Sequence, residues 1–339
     1  MIAGWHALFD GRSVEAWREV RGWEIDGDTL RSTLSATRLE TKRRYRNFEL
    51  EFEWRSDERT HTGVAVDDGD RSFECSLTAH DNSWNTVRIQ RIGDTVVQRE
   101  NDLAALTYKT DVQRGSIHML PGTTSTSYRR ILIRELPPEE ARHGQAIVLF
   151  GGRDLDPWDS HLRAEKIGDR MASPADVWSI NGEGLLVCRG EPWGYLYTKE
   201  RHDNYILRVT WRFDPVTRMA GNSGVLLRMT GEHKVWPRSI EAQLKSGFAG
   251  DFWNIGQFPM QVVAARTYGR NTRKTHGNER RVGAWNDYEI IVDGPWVQLR
   301  VNGDVVNEAW DCETTAGHIC LQSEGAEIHF KRVELVPLR

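Results

Sequence analysis

The stretch Ser239–Ser246 carries the residues best placed to do chemistry. As a strand, it turns Ile240, Ala242 and Leu244 one way and Glu241, Gln243 and Lys245 the other. The apolar set belongs between two sheets, and the polar set faces water or a cleft. Gly224–Met229 alternates likewise, with Leu226 and Arg228 opposite Val225, Leu227 and Met229. If the two strands are neighbours, Arg228 flanks Glu241. A carboxylate beside fixed cations can take a proton from a carbon next to a carbonyl and steady the charge that forms. Asn222, in an Asn-Ser-Gly turn, and Asp251 are polar groups close by in the chain, and Trp236 and Trp253 offer flat faces that stack on sugar rings. His233 and His276 are the two histidines expected near this face. A lone histidine is more often a satisfied surface residue, and a polar strand face is often just solvated. The eleven histidines show no close ligand spacing, so a divalent metal on Glu241 and one histidine is feasible but not specified, and no cofactor is expected.

The elements that must hold these residues read as β. FELEFEWR (48–55) and DYEIIVDG (287–294) have the period of half-buried strands, and WVQLRVNGDVV (296–306) reads as two strands around an Asn-Gly turn. No long stretch keeps a helical period. The chain also repeats itself. Leu8–Gly11 matches Leu149–Gly152, FELEFEWR matches YILRVTWR (205–212), and TGVAV (62–66) matches SGVLL (223–227). FECSL (73–77) matches IEAQL (240–244), RGSIHML (114–120) matches AGHICLQ (316–322), and RRILIREL (129–136) matches KRVELVPL (331–338). The order is kept throughout, which predicts two homologous β-sandwiches, residues 1–138 and 146–339, joined by a linker at 139–145 that follows the Pro-Pro of ELPPEEARHGQ (135–145).

Phe73 and Ile240 lie 167 positions apart, Trp84 and Trp285 201, so the second repeat holds 34 extra residues between them. The first repeat crosses this gap with Thr78–Ser83; the second uses Lys245–Ala284. An insertion of that length beside the polar strand reads as the wall of a site. In the first repeat Glu74 stands at Glu241, but Ser76, Thr78 and Asp67 replace Gln243, Lys245 and Arg228. The first repeat is therefore expected to be structural or accessory, and the second catalytic.

Composition narrows the partners. With 45 Lys+Arg against 49 Asp+Glu, the net charge of -4 in 339 residues argues against nucleic acid, and no apolar run approaches a membrane span. The 14 Trp exceed either Phe (10) or Tyr (8), which fits a carbohydrate partner. The four cysteines have no CxxC spacing and read as small buried hydrophobes in a reducing compartment. MIAGWHALFDG has neither a basic nor an apolar leader region, so a cytoplasmic location is expected, or a periplasmic one for a trimmed mature chain.

Both repeats resemble the 3-keto-disaccharide hydrolase-like domain, a bacterial family built on a concanavalin A-like jelly-roll sandwich. In the second repeat the resemblance rests on LFGGRDLDPW (149–158), VWSINGEGLL (177–186), GNSGVLLR (221–228), SIEAQL (239–244), AGDFW (249–253), WNDYEIIVDG (285–294), VNGDVV (301–306) and GHICLQSEG (317–325). The family's NSG…R and E-x-Q positions match Asn222, Ser223, Gly224, Arg228, Glu241 and Gln243, and the first repeat departs at most of them. The resemblance implies cleavage of the glycosidic bond of a sugar already oxidised at C3. Related sandwich glucanases carry E-x-D-x-x-E, with two carboxylates for direct hydrolysis. Here that strand reads Glu241-Ala242-Gln243-Leu244-Lys245, which points instead to removal of the C2 proton and β-elimination. Glu241 or His276 would be the base and the other the acid, with Arg228 or Lys245 steadying the enolate. The alternative is a non-catalytic, lectin-like glycan-binding module.

Overall fold

Tyr205–Phe213 buries Tyr205, Leu207, Val209, Trp211 and Phe213, with Arg208, Thr210 and Arg212 on the other face. Phe48–Ser56 does the same with Phe48, Leu50, Phe52 and Trp54. This period-two pattern recurs through an almost all-β molecule. The computed structural model describes residues 4–56, 60–79, 82–101, 103–139 and 142–339. Residues 1–3 of the leader, 80–81 of Thr78–Ser83 and 140–141 of the 139–145 segment lie outside the described residues. Among the described residues no helix is long and apolar enough to cross a membrane.

The chain divides into two units, Met1–Glu140 and Ala141–Arg339, each a jelly-roll sandwich of two antiparallel sheets. Of the 139–145 segment, Glu139 bonds to Asn47 and Arg46 of the first unit. Arg142 pairs with Asp293 through two 2.8 Å hydrogen bonds, and the Gly144 N–H donates to the Pro337 carbonyl, both within the second unit.

The units share one strand order. In the first unit's larger sheet it runs Leu106–Lys109, Thr95–Glu100, Asn85–Ile92, Phe48–Ser56, Thr126–Glu135, Thr29–Ser32, Trp23–Asp26. In the second it runs Asp304–Trp310, Trp296–Val301, Asn286–Asp293, Tyr205–Phe213, Ile328–Pro337, Leu186–Cys188, Trp178–Ile180. The hairpin expected at Asn302-Gly303 is present, both residues having positive φ. The smaller sheets also agree. Leu39–Tyr45, Gly115–Met119, Thr60–Asp67 and Ser72–Ala79 correspond to Gly194–Thr198, His318–Ser323, Gly224–Thr230 and Arg238–Gln243.

The second unit extends its smaller sheet at both edges. Trp158–Leu162 adds to one edge. Phe252–Ile255, Asn271–Thr272 and Thr267–Tyr268 add to the other, beyond Arg238–Gln243. These last three come from the Lys245–Ala284 insertion. It also sends Gln261–Val262 to the larger sheet. The second core is made by both sheets: Leu207, Val209 and Trp211 face Val225, Leu227, Ile240, Ala242 and Leu321.

Candidate active site on the outer face of the second unit

With Ile240, Ala242 and Leu244 in the core, Glu241 and Gln243 are turned to the outer face of the smaller sheet. Strand pairing sets the row around Glu241: Trp253 on one side, then Leu226, Cys320 and Tyr197 on the other. The neighbouring row holds Gln243, Gly224, Gln322, Tyr195 and His161, with Gly224 meeting Gln243 and Tyr195 meeting both Gln322 and His161. The insertion rises beside these rows and closes a cleft of about 350 Å³. Its lining is Asn222, Trp236, Glu241, Gln243, Lys245, Phe248, Asp251, Trp253, Ile255, Arg270, Asn271, Arg273 and Glu324.

Seven of the residues singled out in the sequence therefore meet in one place: Glu241, Gln243, Lys245, Asn222, Trp236, Asp251 and Trp253. Glu241 is the most perturbed of them. Its side chain is 5% exposed, and its Oε1 has no hydrogen-bond partner in the protein. Burial first, then the charge of Glu324, raise its pKa and Arg270 opposes both, the net result being about 8. The carboxyl is thus mostly protonated at neutral pH. Gly224 makes room for it, because a Cβ there would lie 2.1 Å from Gln322 Oε1 and 2.6 Å from Glu241 Oε1. Gln243 braces the turn out of the strand, its Oε1 accepting the N–H groups of Leu244 and Lys245. Asp251 braces the insertion, accepting the Lys274 N–H at 2.9 Å and Asn271 Nδ2 at 3.3 Å. Trp236 is about half exposed, packs 5.7 Å from the Trp193 ring, and donates its indole N–H to Glu324 Oε1 at 3.0 Å.

Two expectations are corrected, and a third residue reaches the expected face without entering the cleft. Arg228 is not beside Glu241. A β-bulge interrupts pairing between Leu226 and Met229, Arg228 takes φ 52°, and the side-chain alternation flips. Its guanidinium is fully buried and donates to the carbonyls of Glu313, Gly294 and Asp203, while Met229 joins Leu226 on the outer face. His276 is also absent from the cleft. After Lys274 the chain leaves the smaller sheet, the Thr275 N–H donates to the Val306 carbonyl, and His276 sits exposed, 3.5 Å from Asp304 on the 302–303 hairpin. His233 is on the same outer face but outside the lining. Its Nδ1 is 2.9 Å from the Tyr195 hydroxyl, and its ring packs on Tyr197 in a group with His161 and His318.

The structure adds Phe248, Arg270, Asn271, Arg273 and Glu324 to the cleft. Both arginines belong to the Lys245–Ala284 insertion. Glu324 lies in the GHICLQSEG segment, and only strand pairing brings it toward Glu241. No histidine lines the cleft among the described residues. Their one cluster with metal-ligand geometry is Asp214, Glu327 and His329, at the ends of two strands of the larger sheet. There Asp214 already accepts the N–H groups of Val216 and Thr217, and His329 bonds Glu327. In the first unit Glu74 does face outward, but it is exposed and opposite Ala65.

Two jelly-roll sandwiches, one bearing a carboxyl-and-aromatic cleft on its outer sheet face, place the protein in the concanavalin A-like fold class. Within that class, the chain belongs to the 3-keto-alpha-glucoside-1,2-lyase-like domain family, whose profile matches residues 4–75 and 145–336. Similar solved structures include a candidate glycosyl hydrolase from Parabacteroides distasonis ATCC 8503, at 19% identity over 57% of this chain and 94% of that one, TM-score 0.41. They also include the carbohydrate-binding module CBM66 from Bacillus subtilis, at 12% identity over 52% and 94% of the two chains, TM-score 0.37. A β-glucanase from Bacillus licheniformis matches at 12% identity over 58% and 99%, TM-score 0.37. No curated protein matches the chain.

Proposed function

We propose that the second unit binds a 3-keto-glycoside in the Glu241 cleft and breaks its glycosidic bond by β-elimination. The observation that carries this reading is the Glu241 carboxyl itself, buried on the cleft floor with an unpartnered oxygen and a pKa raised to about 8. A C3 ketone acidifies the C2 proton. Removing that proton gives an enolate, and its collapse restores the ketone, forms a C1–C2 double bond and breaks the bond from C1 to the aglycone oxygen. The aglycone leaves with a proton. Water adding at C1 afterwards, with a proton returning to C2, gives net hydrolysis. With Arg228 tied to three carbonyls, the enolate oxygen falls to Lys245, Arg270 or Arg273, the cations of the cleft. Trp236, Trp253 and Phe248 supply faces for the sugar ring.

The same aromatics favour a second reading, a glycan-binding module without turnover. Aglycone release from a glucoside and from its 3-keto form separates the two. Release from the keto form alone supports the lyase reading. Equal release from both contradicts the ketone requirement, and binding of glycans with no release from either supports the lectin-like one.

A further inference from the structure

We propose that Glu324 and Glu241 form the acid–base pair of this cleft, Glu324 taking the C2 proton and Glu241 protonating the departing aglycone oxygen. This rests on the lyase reading above. Both carboxyls line the same cleft, yet they come from different strands: Glu241 from the middle of Arg238–Gln243, Glu324 from just past the end of His318–Ser323. No spacing within one strand could reveal them as a pair.

Their surroundings separate their roles. Glu241 sits on the floor between Trp253 and Leu226, and its nearest charged influences are Glu324 and Arg270. Such a site holds a neutral carboxyl, which has a proton to give. Glu324 is on the wall and only partly buried. Burial holds its pKa above the ordinary carboxylate value, with the Trp236 indole N–H and the Lys245 charge opposing that rise. Its Oε1 accepts the indole N–H whereas Glu241 Oε1 has no partner, so of the two carboxyls Glu324 is the one better supported as an anion and proton acceptor. Two titratable groups whose environments separate their proton affinities are what an acid and a base working at one pH require.

The first unit supplies a control. Carrying the register of RGSIHML against AGHICLQ two residues on puts Gly122 at Glu324. Glu74 is kept there, but its partner is missing. Trp236, as the indole donor to Glu324, is a positioning residue for it.

In the step as written, the C2–H pair enters the enolate while the proton goes to Glu324. The electron pair of the C1–O bond leaves with the aglycone oxygen, which takes the Glu241 proton. Glu324 ends neutral and Glu241 ionised, with no oxidant or reductant needed.

The test uses the full chain and two probes in D₂O: the 3-keto forms of methyl glucoside and of 4-nitrophenyl glucoside. Nitrophenolate leaves without protonation; methoxide does not. Glu324→Gln should lower both C2 exchange and release of either aglycone by about 10²-fold or more, with Glu324→Asp partly restoring them. Glu241→Gln should lower methanol release by a similar factor, at least about ten-fold more than it lowers C2 exchange or nitrophenolate release. Trp236→Phe keeps the ring and removes the N–H, and should move the rising limb of the pH–rate profile upward. The reverse pattern, or equal losses on both probes at Glu241→Gln, overturns the pair. Wild-type protein inert on both keto probes instead brings down the lyase reading, and the pair with it.

Discussion

Replacing Glu241 by Gln should stabilise the second unit at neutral and alkaline pH while slowing its release of a poor leaving group such as methanol. A buried carboxyl with a pKa of about 8, against 4.5 in the unfolded chain, binds its proton more tightly when folded. Between those two pH values the folded state holds more protons than the unfolded one, so stability falls as pH rises. Glu241 costs nothing below about pH 4.5, and its penalty is complete above about pH 8. At 1.36 kcal/mol per pKa unit the full penalty is about 5 kcal/mol, of which about 4 kcal/mol develops between pH 5 and 9. Gln resembles the neutral acid in shape and never ionises, so the variant escapes the penalty. For a domain of this size about 2–4 °C accompanies each kcal/mol. The Tm of Glu241→Gln minus that of wild type should therefore widen by roughly 10 °C from pH 5 to pH 9, read by calorimetry on the second unit's transition. Ionising groups that do not interact with Glu241 cancel in this difference. A gap that stays constant with pH, or narrows, would refute the buried neutral carboxyl.

Gly224→Ala should displace Glu241, since the new Cβ would lie 2.6 Å from its Oε1, and turnover of a 3-keto-glucoside should fall at least about 10²-fold with the protein still folded by circular dichroism. Arg228→Met should act on stability rather than chemistry. It strips donors from three part-buried carbonyls, so urea denaturation should show a loss of about 3 kcal/mol, with kcat of the folded fraction kept within a few-fold. His276→Ala and Glu74→Gln should both leave turnover within about two-fold of wild type, because neither residue touches the cleft. A large loss at Glu74 would mean that both units share the chemistry.

Period-two patterning made the strands and the outward set Glu241, Gln243 and Lys245 readable, because alternation in a strand follows from local geometry alone. The repeat and the extra residues of Lys245–Ala284 likewise pointed to the wall. Arg228 could not be read correctly, since a single bulge reverses the alternation and the sequence GVLLRMT carries no glycine or proline at that point to mark it. His276 failed for a related reason: nearness in sequence to the insertion's other cations does not say which sheet the chain has joined. Glu324 was hidden because its relation to Glu241 depends on the pairing of Gly224–Thr230 with both His318–Ser323 and Arg238–Gln243, three strands drawn from distant parts of the chain.

The proposed removal of the C2 proton is tested most directly with a 3-keto-glucoside carrying deuterium at C2, turned over by wild-type protein in ordinary water. The account predicts that the deuterium is lost to solvent as the aglycone is released, and that the labelled substrate reacts more slowly than the unlabelled one wherever proton removal limits the rate. Aglycone release with the label fully retained at C2 would contradict it.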